Sequence, residues 1–332
     1  MSFRFWRRVR LAPGVTLNLS KSTASLSLGP RGAKYTISPR GNRATAGIPG
    51  TGLFYSVHDR NAGRGRNSTP TAAIPQRDRL KLGFFQRLMT PADEKQFVDG
   101  IRALNNGDTE TALAALEGAA EHPDAAWMAG MLRLRQEQFD KAKAHFHTAL
   151  SGLGTLGKLF EKYSIAAQSS LPITPEIVAH VLPRERGTRL ALVEIAQLEG
   201  DSRTAMHHIE SLLEIDPADP IVLLSFAELA LEQGNDKAVW DRVVRLTAAV
   251  ENETPVDTAI LLYRARALVA MDMPAAAVDV FTLANRRRKD RPQDLLLQIR
   301  YERAVLYEQL GRRAQAKQEF DRIYAIDPDF KS

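Results

Sequence analysis

The chain has 332 residues, 44% hydrophobic and 25% charged, a balance that fits about two folded domains and excludes wholesale disorder. It contains no cysteine, which removes disulfides, thiolate nucleophiles and cysteine-based metal sites. The net charge of +6 conceals a division: residues 1–66 carry twelve Lys/Arg against one acid, Asp59, for a net of +11, and the remainder carries −5. Such asymmetry predicts two parts with different partners, and it also permits the basic end to meet the acidic end of the same or another chain.

The opening stretch MSFRFWRRVRLAPGV is basic but lacks the apolar core of a secretory signal. No apolar run approaches the roughly 18 residues of a membrane span, so a soluble cytoplasmic protein is expected.

Residues 1–57 read as a basic β meander of short antiparallel strands. VTLNLS sets Val15, Leu17 and Leu19 against Thr16, Asn18 and Ser20, and ASLSL and AKYTI alternate in the same way. Pro13-Gly14, Gly29-Pro30-Arg31-Gly32, Ser38-Pro39-Arg40-Gly41 and Pro49-Gly50 punctuate them as turns. Pro-Arg-Gly recurs after nine residues, the length of one strand and one tight turn. If that turn closes a hairpin, Thr36 faces Arg43 and Lys34 lies near Thr45.

The glycines of this stretch do not make a phosphate loop. Gly-Lys-Ser/Thr opening a helix is absent, and GIPGTG runs instead into the strand-like Leu53-Phe54-Tyr55-Ser56. Arg4, Arg7, Arg8, Arg10, Lys34 and Arg43 form a candidate anion-binding face, with Phe3, Phe5 and Trp6 interleaved as phosphate contacts and stacking would require. The plainer reading is an edge strand whose arginines discourage aggregation while its rings enter the core. The segments FRFWRR, PGVTLNLSKSTASLSLG and GIPGTGLFYS together resemble a small bacterial N-terminal domain family of unknown function, over about residues 1–57. The resemblance implies a bacterial or phage source and lends no activity.

Residues 58–89 read as a linker, rich in Gly, Arg, Ser, Thr and Pro, that ends in the apolar LGFFQRLM. Thr90-Pro91 then opens a helix, with Thr90 as its cap. From there a frame recurs: a Gly, an Ala five residues on, a large apolar residue four later, a further small or apolar residue three later. It runs Gly200, Ala205, Ile209, Leu212, Asp216-Pro217 and again Gly311, Ala316, Phe320, Ile323, Asp327-Pro328. Further copies run through Gly107 and Ala112, through Ala142 and Phe146, through Ala277 and Phe281, and more loosely through Gly234 and Val239. The small Ala lets two helices approach, and each pair hides its apolar face only by stacking on its neighbours.

These spacings resemble the tetratricopeptide repeat, a unit of roughly 34 residues built from paired helices. The expected fold class is therefore α+β in separate domains, a small antiparallel meander followed by an all-α superhelical array. Two units span 90–150 and four span 187–332. Residues 151–186 break the frame, and LGKLFEKYSIAAQSSLPITPEIVAHVL reads as an irregular helix pair whose second helix starts at Thr174-Pro175.

Arrays of this kind bind peptides or proteins in a groove lined by the first helix of each unit. By register, Phe97, Ile101, Trp127, Met131, Leu190, Glu194, Leu224, Glu228, Leu262, Arg266 and Tyr301 are the exposed inner positions. They depart from the Lys and Asn clamp with which one class of these arrays holds a C-terminal carboxylate. A mostly apolar groove with a few acids suits a hydrophobic segment or a partner helix. The alternative is that these side chains pack between units, or lie under LGFFQRLM.

No catalytic set is visible and no cofactor is implied. His145 and His147, like His207 and His208, diverge around their helices, and no metal-ligand spacing occurs. Arg286 to Arg291, RRRKDR, closes a helix where bases complement its C-terminus. The sequence thus points to a non-enzymatic interaction scaffold with an unidentified protein partner. The alternative is that the basic end binds nucleic acid or an anionic surface while the array recruits a partner.

Overall fold

A computed structural model describes residues 89–163, 165, 167–175, 177–232 and 236–330 with their side chains, and the backbone of six strands before them. The residues between those strands, residues 1–6 with Phe3, Arg4, Phe5 and Trp6, residues 60–88 with most of LGFFQRLM, and Gly234 lie outside the described residues.

The strands are β1 Arg7–Ala12, β2 Val15–Ser20, β3 Thr23–Leu28, β4 Ala33–Ile37, β5 Asn42–Gly47 and β6 Phe54–Asp59. Each pairs antiparallel with the next in chain order. Between β4 and β5 the backbone sets Lys34 opposite Thr45 and Thr36 opposite Arg43, the register that the nine-residue spacing anticipates.

The helices come in pairs: α1 Ala92–Asn105 with α2 Thr109–Gly118, and α3 Pro123–Arg135 with α4 Phe139–Ser151. After a break come α6 Glu185–Leu198, α7 Ser202–Ile215, α8 Pro220–Glu232, α9 Lys237–Leu246, α10 Pro255–Ala270, α11 Pro274–Arg286, α12 Gln293–Gln309 and α13 Arg313–Tyr324. Side chains cap many of their starts. Asp108, Asp201 and Asp236 accept N–H groups at α2, α7 and α9, and Thr254 and Asp257 exchange hydrogen bonds as a capping box at α10. At α1 the cap position belongs to Pro91 rather than Thr90, and no side chain caps it.

The repeat frame has a clear physical basis. Ala112, Ala142, Ala205, Ala277 and Ala316 are all buried, as are Leu116, Phe146, Ile209 and Phe281 four residues later. Gly107, Gly200 and Gly311, between the two helices of their units, adopt φ of 82°, 75° and 72°. Glu137 and Asp272 hold the same register position and the same left-handed conformation, with φ of 57° and 58°. The turn needs positive φ in every one of these units, and two units meet that need at a cost glycine avoids. Glu137→Gly is therefore expected to stabilise the fold by about 0.5–1 kcal/mol, read as a rise in urea midpoint; a fall would mean the carboxylate contributes more than the strain costs.

Residues 151–186 are not a helix pair. They hold one short helix, α5 Lys158–Lys162, followed by β7 Ala167–Thr174 and β8 Ile177–Val181. The two strands are neighbours in the sheet and only two residues join them, so they form a small antiparallel hairpin. Burial alternates with period two: Ile177, Ala179 and Val181 are buried while Val178 and His180 are exposed. Pro175 marks the hairpin turn instead of a helix start. β6 continues onto β7, with Phe54 opposite Gln168 and Tyr55 opposite Ala167. The strands preceding the array are thus hydrogen-bonded to its insert instead of standing apart, which gives the outer edge of β6 a partner.

Two compact units result. One comprises residues 1–170 with 180–191, the other 171–179 with 192–332. The second contains a charged cluster inside its core: Arg300 and Arg303 of α12 both reach Glu319 of α13 at 3.1 Å, and all three are buried.

Candidate partner-binding surface

The inner positions read from register are not an open groove. Phe97 and Trp127 are 0% exposed, and Ile101, Met131, Leu190, Leu224 and Leu262 are equally interior. The expectation of exposure fails because these side chains are packed into the core, and in the first two repeats the chain also covers its own surface.

That cover is α5. The ring of Phe160 meets Phe97 edge-on at 5.1 Å and Trp127 at 6.1 Å between centroids, so one side chain bridges equivalent positions of α1 and α3. Asp124, fully buried, fixes the helix start by accepting the N–H groups of Gly157, of Leu159 at 2.7 Å and of Phe160 at 3.3 Å. Burial pushes the Asp124 carboxyl up, and these N–H groups together with His122 only partly oppose it. At the other end Lys162 lies 2.5 Å from Glu94, and the Tyr163 hydroxyl donates to the same carboxylate. Burial would raise Glu94, but Lys162 and Tyr163 together hold it below the ordinary glutamate value. Tyr163 is itself raised by burial and by Glu94.

In the second unit, polar side chains occupy the corresponding places. Glu228, buried, accepts the Tyr263 hydroxyl at 3.2 Å. Arg266, half-buried, forks onto Glu302 with bonds of 2.6 to 3.0 Å and lies 4.7 Å from the centre of the Tyr263 ring. Burial alone would lower Arg266, but the Glu302 carboxylate outweighs it and the guanidinium is held charged. Gln298 donates to the same carboxylate. Tyr301, half-buried, packs edge-on against Phe320 and Phe330, each at 6.1 Å.

Glu194 is half-buried, and burial raises its carboxyl to about 7 from an unfolded value of 4.5. A folded pKa above the unfolded one means stability present below pH 4.5 and lost as pH rises through about 7. The loss should be on the order of 1–3 kcal/mol, seen as a lower urea midpoint at pH 8 than at pH 5. Glu194→Gln should remove that part of the difference; an unchanged pH profile in the variant would refute the assignment.

The predicted basic positions are distributed by the strand order. Arg7, Arg8 and Arg10 lie on β1, opposite Leu19, Asn18 and Thr16 of β2, whereas Lys34 and Arg43 lie on the neighbouring β4 and β5. Two strands separate these groups.

Elsewhere, Arg287 pairs with Glu253 at 3.0 Å, and Arg291 donates to Thr258 at 2.5 Å and to the Asn252 carbonyl at 3.2 Å. RRRKDR therefore binds the preceding loop as well as its own helix end, where Arg288 donates to the Asn285 carbonyl. Among the described residues no group of three His, Cys, Asp or Glu stands where it could hold a metal, and no helix is long and apolar enough to cross a membrane.

Sequence reasoning missed Asp124, Phe160, Gln298 and Glu302. For Glu302 a signal existed: it follows Arg266 by 36 residues, about one repeat, with opposite charge. Asp124 sits in His122-Pro123-Asp124, which reads only as a helix start.

A family model described as protein of unknown function (DUF4236) matches residues 3–56, and a tetratricopeptide repeat model matches residues 297–330. Cellulose synthase operon protein C of Xanthomonas axonopodis pv. citri (strain 306) is 28% identical over 265 residues, covering 72% of this chain and 17% of that protein. The chain thus spans less than a fifth of that relative's length. Among solved structures, a thermophilic TPR protein of Thermus thermophilus is similar at 14% identity and a TM-score of 0.39, over 62% of this chain and 92% of that one. A tetratricopeptide repeat protein of Parabacteroides merdae ATCC 43184 is similar at 16% identity and a TM-score of 0.32, over 71% and 93%.

Proposed function

We propose that the chain is a non-enzymatic adaptor whose helical repeats bind a partner protein or helix. The supporting observation is the repeated helix pair, with half-buried polar groups on the first helices of the later units: Glu194, Arg266 with Glu302, and Tyr301. Burial strengthens their electrostatics, and Arg266 and Glu302 already satisfy one another, which leaves Glu194 to meet a donor or cation of the partner. Immobilised full-length chain should retain a stoichiometric partner, and Glu194→Arg should release it while the helical content is unchanged. Retention of nothing but chaperones would defeat the reading.

A second reading is favoured by the charge of residues 1–66, +11, and by the placement of Lys34 and Arg43 on paired strands. In it the N-terminal strands, as a basic β module, bind nucleic acid while the array recruits the partner. Binding of the full chain to DNA or RNA should weaken steeply with salt, and replacing Arg7, Arg8 and Arg10 by Ala should flatten the slope by about 2–3. Salt-independent or undetectable binding at low salt would sink it; binding to anionic vesicles alone would assign the charge to a surface.

A further inference from the structure

We propose that α5 is a built-in pseudo-ligand, and that the surface beneath it receives a partner helix carrying an aromatic side chain. The inference rests on the adaptor reading and concerns a different part of the array from Glu194.

Three observations carry it. First, one segment engages equivalent positions of two successive first helices: the Phe160 ring lies against both Phe97 and Trp127. Second, polar groups grip both ends of that segment. Asp124 receives its first-turn N–H groups, and Glu94 receives Lys162 and Tyr163. An aromatic anchor flanked by a carboxylate for backbone N–H and a carboxylate for a cation is a recognition pattern, and α5 displays what fits it. Third, Trp127, whose ring meets Phe160, is 0% exposed, and its indole Nε1 has no hydrogen-bond acceptor among the described residues.

A buried donor without an acceptor is costly, and an occupant that brought one to the Trp127 indole would relieve that cost. A segment that supplies the same aromatic ring, a basic residue two positions later and an oxygen acceptor within reach of Trp127 Nε1 would gain what α5 leaves unmet. The partner chemistry is therefore that of α5 with an added acceptor, a helix-in-groove ligand that must first displace the chain's own. Because displacement is required, the apparent affinity is reduced by the small fraction of molecules in which α5 is released.

The probe is a labelled synthetic peptide with the sequence of residues 156–165. Full-length Phe160→Ala should bind it saturably, at least about tenfold more tightly than the unaltered chain, and a peptide with its own Phe replaced by Ala should bind to neither. Since Phe160→Ala leaves a cavity, a second variant, Lys162→Gln with Tyr163→Phe, loosens only the Glu94 end and keeps the ring. It should bind with intermediate affinity and exchange the amide hydrogens of residues 159–163 faster than those of α3. Equal binding to all proteins, or no binding to variants whose circular dichroism matches the parent, would overturn the proposal. If the peptide fails but Glu194→Arg still releases a captured partner, the adaptor reading stands and this inference alone falls.

Discussion

Replacing Glu319 by alanine should destabilise the second unit by about 3–5 kcal/mol, a larger loss than any exposed ion pair could produce. Arg300 and Arg303 are 4% and 7% exposed, and Glu319 is 4% exposed and meets both guanidinium groups at 3.1 Å. Arg322 adds a third contact at 3.0 Å from the solvent side. Burial already lowers the pKa of Arg300, as does the nearby charge of Arg288, against the pull of Glu319. Without that carboxylate, two cations remain buried with no anion between them.

Glu319→Gln should cost less, because an amide oxygen still accepts from one arginine. An all-apolar triple replacement, Arg300→Met, Arg303→Met and Glu319→Leu, should recover most of the loss, since such triads stabilise less than well-packed hydrocarbon. Urea unfolding of the three variants checks the order. A Glu319→Ala midpoint near the parent's would show that water reaches the arginines.

Gly130→Val should be comparably severe and confined to the first unit. A Cβ at Gly130 would lie 2.8 Å from Phe146 Cε1 and 2.9 Å from its Cδ1. Phe146 is 0% exposed, so its ring has nowhere to go. Gly100 faces Leu116 in the same way at 2.7 Å, which makes the small residue a requirement of the helix pair instead of a local accident. Valine adds two further carbons to that clash, and about 3 kcal/mol of overpacking is expected, offset slightly by the better helix propensity of valine. Pairing it with Phe146→Leu should restore part of the stability. Additive losses in the double variant would show that the ring is not what the new side chain meets.

The repeat frame was legible because its chemistry is local. Alanine, a bulky residue four later and a left-handed turn before them are set by helix geometry alone, and the buried Ala112, Ala205 and Ala316 follow from it. The insert was misread because Pro175 after Thr174 is an equally good helix start and hairpin turn, and the decisive alternation of Ile177, Ala179 and Val181 spans only five residues. The first-helix positions expected to line a groove are mostly buried. What covers Phe97 is a ring 63 residues further along the chain, and no local pattern announces it. Arg300 and Arg303 were invisible for a similar reason: on a helix, an inward arginine looks like an outward one until its acid is found.

The insert also bears on how the array comes apart. In a regular solenoid each repeat borrows stability from the next, and melting spreads along the row as through a line of coupled switches. Here the second pair, α3 and α4, is followed by α5, which packs Phe160 onto the two first helices already present. The chain thereby staples its opening pair of repeats together across one face before the later repeats begin. Within that first unit, α1 and α3 are coupled through the Phe160 ring as well as through each other.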